Sequence, residues 1–154
     1  MYAFVLFIHS WLRYAVLAAG IALLVVAITQ LRSDKRWSPR SERLATVFLA
    51  SLDTQLLLGL LLYFALSPLT SAGLADLAAA MKSPVLRFFS VEHSLTMFLA
   101  VVVAHVGRVR AKRKPDDQAR LRTVLRFQIA WLVLTLAAIP WPGLDIGRPL
   151  FRGL

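Results

Sequence analysis

Hydrophobic positions along the chain gather into four long apolar stretches that begin near Phe4, Leu44, Leu86 and Val124, each bounded by arginine, lysine or proline. A helix needs about 20 predominantly apolar residues to cross a hydrocarbon core of roughly 30 Å, and these stretches supply that length or nearly so. The pattern predicts an all-α, four-helix transmembrane bundle with up-down topology, one domain over 1–154, and spans at 4–31, 44–66, 86–109 and 124–141. The last span is the shortest and meets Pro140. No basic segment precedes Phe4 and the apolar run passes any small-residue cleavage point, so the first helix is expected to stay attached. Between the second and third spans, Leu74, Leu77, Ala78 and Met81 fall at helical spacing, with Asp76 and Lys82 as the only charges from Thr70 to Lys82. This predicts a short interfacial helix.

Charge orients the bundle. Arg32, Lys35, Arg36, Arg40 and Arg43 lie between spans one and two, and Arg108, Arg110, Lys112, Arg113, Lys114, Arg120 and Arg122 between spans three and four. The segment from Ser67 to Pro84 holds only Lys82. Cations in short loops stay cytoplasmic, so both termini are expected outside. Trp and Tyr near the span ends, including Tyr2, Trp11, Tyr63 and Trp141, agree with that frame. The net charge of +10 is thereby accounted for by topology and attraction to anionic lipid, and a nucleic-acid partner is rejected because no aromatic-interleaved basic motif is present. A 58% hydrophobic composition and mean hydropathy of +0.67 exceed what one small soluble core hides. The absence of cysteine excludes disulfides, thiolate-held clusters and cysteine nucleophiles within the chain.

Polar groups inside hydrocarbon are expensive and therefore candidates for function. Span one carries His9 and Arg13 on one face, four residues apart; span two carries Asp53 and Gln55, with Gly59 and Tyr63 on the Gln55 stripe; span three carries Glu92, His93 and His105; span four carries Gln128. Two histidines on separate helices of a thiol-free apolar bundle suit the axial ligation of b-type haem. Gly20, Gly59, Ala100 and Ala104 would make room for a flat macrocycle or for close helix packing, and Arg13, Arg87, Arg148 and Arg152 could meet its propionates. Counted from the inner flanking cations, His93 lies about 22 Å from Arg108 and His9 about 34 Å from Arg32, a mismatch of roughly 12 Å before tilt. The same imidazoles could instead be hydrogen-bonded bundle histidines, with Gln55 or Tyr63 as partners of His93. Arg13 with Glu92 reads as an ion pair, His105 as a snorkelling interfacial residue, and Asp53 as a carboxylate that is protonated, paired with Arg13, or part of a proton or metal site.

The segments His9-Ser10-Trp11-Leu12-Arg13, Gly59-Leu60-Leu61-Leu62-Tyr63-Phe64, Arg87-Phe88-Phe89 with Glu92-His93-Ser94, Ala111-Lys112-Arg113-Lys114, and Ile139-Pro140-Trp141-Pro142 with Arg148-Pro149 span almost the whole chain. In these the sequence resembles a family of small bacterial four-helix membrane proteins commonly labelled cytochrome b-like. The resemblance implies haem, a bacterial cytoplasmic membrane, and His9 and His93 as the ligands, since they fall in its two histidine-bearing motifs. Asp53 stands where a second-helix histidine would be expected in some relatives, which keeps open a metal site of His9, Asp53 and His93.

The expected function is therefore an electron-transfer protein holding haem b between His9 and His93, with Arg13, Arg87 and Gln55 also at the cofactor and no substrate chemistry of its own. Expected partners are membrane lipid, a quinone, a periplasmic electron carrier or other respiratory subunits, in a possible oligomer. The alternatives are a cofactor-free accessory or assembly subunit, and a metal or proton carrier centred on His9, Asp53 and His93.

Overall fold

A computed structural model describes residues 1–151 and 153. Helix α1 covers Tyr2–Arg32 and α2 covers Pro39–Leu61, continuing through a wide π turn at Leu62–Leu66. Three short helices follow, α3 at Pro68–Ala75, α4 at Leu77–Ala80 and α5 at Pro84–Arg87, the last running through a second π turn at Phe88–Glu92 into α6 at His93–Lys112; α7 covers Asp117–Ala138. The four long helical segments are long and apolar enough to cross a membrane, and the chain is a multi-pass, all-α bundle.

Helix starts are written in capping chemistry. Ser38 Oγ accepts the Ser41 amide at 3.1 Å with Pro39 at the first helical position, and Asp116 Oδ1 accepts the Ala119 amide at 2.7 Å with Asp117 in the first turn. These caps start α2 and α7 before the apolar runs at Leu44 and Val124. At its other end α7 stops at Ala138, short of the expected Trp141, because Ile139 precedes a proline and adopts an extended backbone. The expected short helix is present in two pieces, α3 and α4, broken at Asp76.

In the bundle α1 packs against α2 and α7, and α6 against α7 and, least closely, α2, so α1 and α6 face each other across the diagonal. The middle is filled by Trp131, fully buried and edge-on to Phe48 with ring centroids 4.7 Å apart. Gly20 is what admits it: a Cβ there would stand 2.2 Å from the Trp131 ring. Gln128 Nε2 donates to the Gly20 carbonyl at 3.0 Å. At the basic end Glu42 accepts from Trp37 Nε1 at 2.8 Å, from Arg120 at 2.5 Å and from both terminal nitrogens of Arg108, with Lys112 at 4.0 Å. One carboxylate thus ties α2 to α6 and α7.

Candidate functional site

The half of the bundle nearest the termini gathers the polar groups named from sequence. The π turn at Phe88–Glu92 inserts i→i+5 bonding just before His93, a feature that often marks functional sites. Tyr63, in the other π turn, donates to the Ser90 carbonyl at 2.8 Å and Thr70 Oγ1 donates to the Tyr63 carbonyl at 2.8 Å, locking the two wide turns together. Gly73 lets Ser90 approach, since a Cβ there would stand 1.9 Å from Ser90 Oγ. His93 emerges against Phe88 and Phe89, with ring centroids 5.8 and 6.3 Å away.

His93 Nδ1–H donates to the Ala138 carbonyl at 2.8 Å. That oxygen belongs to the last turn of α7, where helical carbonyls have no intrahelical donor. The bond fixes the ring and the tautomer, leaving the lone pair on Nε2. On α1, His9 Nε2 accepts from the Gln55 amide at 3.2 Å, and the same amide nitrogen donates to the His9 carbonyl at 3.0 Å. His9 therefore also carries its proton on Nδ1. That Nδ1, and Gln55 Oε1, are shut away from the surface without a partner. His9 lies within electrostatic range of both His93 and Arg13. The depth mismatch counted from sequence falls to about 6 Å, because Arg108 is not the end of its helix, which continues to Lys112.

Other expected contacts are not made. Arg13 does not pair with Glu92: Arg13 Nη2 donates to Tyr14 Oη and to the Leu150 carbonyl, both at 3.0 Å, while Glu92 accepts from Arg87 Nε at 2.7 Å across the π turn. Arg87 also reaches the Met81 carbonyl, toward the short helices rather than the imidazoles. Arg148 lies over the Phe89 ring, 4.9 Å from its centroid, and Arg152 lies outside the described residues. Asp53 is not with His9 and His93, nor with Arg13; its Oδ1 accepts from His105 Nε2 at 2.8 Å. His105, expected as a snorkelling interfacial residue, is thereby a partner of Asp53. Among the described residues no group of three or more His, Asp or Glu side chains is arranged to hold a metal ion.

Both imidazoles fit haem iron as donors, since each keeps its proton on Nδ1 and its lone pair on Nε2. Space is a different matter. Gly20 is occupied by Trp131, and Gly59 by His9 itself, whose Cε1 would be 3.3 Å from a Cβ there. Ala100 and Ala104 are buried in the apolar core, and the void lined by Leu23, Ala45, Phe48, Ala104 and Gln128 holds about 30 Å3, enough for a water-sized group. A macrocycle between the rings requires that the His9–Gln55 contact open.

Residues missing from the sequence reading are the backbone acceptors. Pro140 was the available signal for Ala138, because a helix ended by proline leaves carbonyls free nearby. The C-terminal segment had none: Phe151 stacks on Tyr14 at 5.8 Å, and the Leu150 carbonyl accepts from Tyr14 Oη at 2.5 Å. No protein-family model, curated protein or solved structure matches this chain.

Proposed function

We propose that this membrane protein is an electron carrier that binds haem b between His9 and His93, near the membrane face that bears the termini. The observation that carries the reading is the pair of inward imidazoles on diagonal helices, both with Nε2 as the lone-pair nitrogen. Haem, when bound, supplies a one-electron couple. The chain's own residues set its surroundings. The Ala138 carbonyl holds His93 and raises its basicity as a ligand. Gln55 keeps His9 in its tautomer until Nε2 is needed, and its unpartnered Oε1 is an acceptor ready for another donor. Arg13 and Arg148 favour the reduced, more negative state and can meet propionates. Electron partners on this reading are a quinone, a periplasmic carrier or other respiratory subunits.

The test is the reduced-minus-oxidised visible spectrum of protein purified in detergent after haem-replete expression. Haem bands are expected in the wild type, lost or shifted in His9→Ala and His93→Ala, and unchanged in His105→Ala. An apoprotein spectrum, or bleaching by His105→Ala alone, rejects the reading.

A second reading is favoured by one observation, the filling of the small-residue spaces by Trp131 and His9. On it the protein is a cofactor-free accessory or assembly subunit whose polar side chains clasp helices together. It predicts an apoprotein spectrum with His9→Ala and His93→Ala affecting stability alone. The metal carrier centred on His9, Asp53 and His93 is not retained, because Asp53 is engaged by His105.

A further inference from the structure

Where α2 meets α6, His105 Nε2–H donates to Asp53 Oδ1, and the two side chains stay 46% and 47% exposed. Asp53 stands roughly 16 Å of helix rise from Glu42, near the middle of a hydrocarbon core about 30 Å thick. His105 Nδ1 and Asp53 Oδ2 have no hydrogen bond among the described residues. The surrounding surface is aliphatic and exposed, with Leu57 one turn from Asp53, Val102 and Val109 one turn either side of His105, and Ala50 one turn back along α2. Acyl chains offer nothing to the spare nitrogen and oxygen, and membrane proteins place such groups between helices.

The pair is self-complementary. A pair without net charge holds two protons: one bridges Nε2 and Oδ1, and the other makes one of the two spare atoms a donor and leaves the other an acceptor. A copy related by a two-fold axis presents its acceptor to the first donor and its donor to the first acceptor, satisfying both in one isologous contact. The groove between α2 and α6 is also the loosest of the four helix junctions, so it is where another helix can seat.

We propose that the α2/α6 face around Asp53 and His105 binds a second copy of this chain, closed by a reciprocal ring of two carboxylates and two imidazoles. The proposal is independent of the haem reading.

Because the chain has no cysteine, an introduced thiol can be cross-linked without background. In native membranes oxidised with copper phenanthroline, Ala50→Cys, Leu57→Cys and Val109→Cys of the full chain form disulfide-linked homodimers. Val25→Cys on α1 and Val133→Cys on α7, exposed to the same lipid, form little. Adding Asp53→Asn or His105→Ala to Leu57→Cys removes most of the dimer, and the exchange Asp53→His with His105→Asp restores it, which separates loss of the ring from loss of folding. Equal cross-linking on every helix, a monomer throughout, an adduct with a different protein, or an exchange variant that folds without restoring the dimer overturns the proposal.

Discussion

At the basic end of the bundle one carboxylate, Glu42, gathers Arg108, Arg120, Lys112 and the Trp37 indole, whereas at the terminal end the polar side chains mostly find backbone carbonyls. Gln55 bonds the His9 carbonyl, His93 that of Ala138, Tyr63 that of Ser90, and Arg13 with Tyr14 that of Leu150. The difference follows from the solvent. Charges can be concentrated where the helices leave the membrane and water screens the surplus cations. Deeper in, the neutral donors Gln55, His93 and Tyr63 carry no desolvated charge, while the Arg13 cation meets Leu150 at an exposed position. The terminal end is also where regular helical turns give way to two π turns, and it holds three buried side-chain atoms without partners, His9 Nδ1, Gln55 Oε1 and Ser90 Oγ, against Arg120 Nε at the basic end. The basic end is latched by charge, and the terminal end by bonds to carbonyls around His9 and His93.

Four substitutions test that contrast. Trp131→Ala removes the side chain that fills the middle and should have the largest effect, lowering stability by about 3 kcal/mol in thermal or denaturant unfolding in detergent. Glu42→Gln breaks the basic latch and leaves Arg108 and Arg120 facing each other; a loss of roughly 1–3 kcal/mol is expected, with no change in any property of His9 or His93. An altered imidazole signal in that variant would contradict the separation of the two ends. Tyr63→Phe deletes the bond to Ser90 that joins the π turns and should cost about 1 kcal/mol, while faster amide exchange appears around Ser90 and His93 before elsewhere. Gly59→Ala is the mildest: its methyl meets His9 Cε1 at 3.3 Å, so stability shifts by about half a kcal/mol or less while the His9 ring resonances move and those of His93 do not.

The spans were legible because hydropathy and length alone decide what crosses a bilayer. Their ends were less so, since Ser38-Pro39 and Asp116 start helices in polar sequence where the apolar pattern is silent. Of the site, His9, Gln55 and His93 stood out as polar groups in apolar runs. Their partners did not, because a backbone carbonyl such as that of Ala138 has no signature in residue identity. His105 was misjudged for a related reason. Depth was counted from Arg108 as if it stood at the membrane edge, yet its side chain reaches along the bundle to Glu42, and His105 is correspondingly deeper. The π turn before His93 also shifts the register of α6 against any face drawn at regular helical spacing.

The central claim is that His9 and His93 serve one bound group together. Electron paramagnetic resonance of the oxidised, haem-replete protein tests it most directly. The account predicts a low-spin ferric signal of bis-imidazole type in the wild type, converted to high-spin or lost in His9→Ala and in His93→Ala alike. A wild-type sample without ferric haem, or a low-spin signal that survives either substitution, would contradict it.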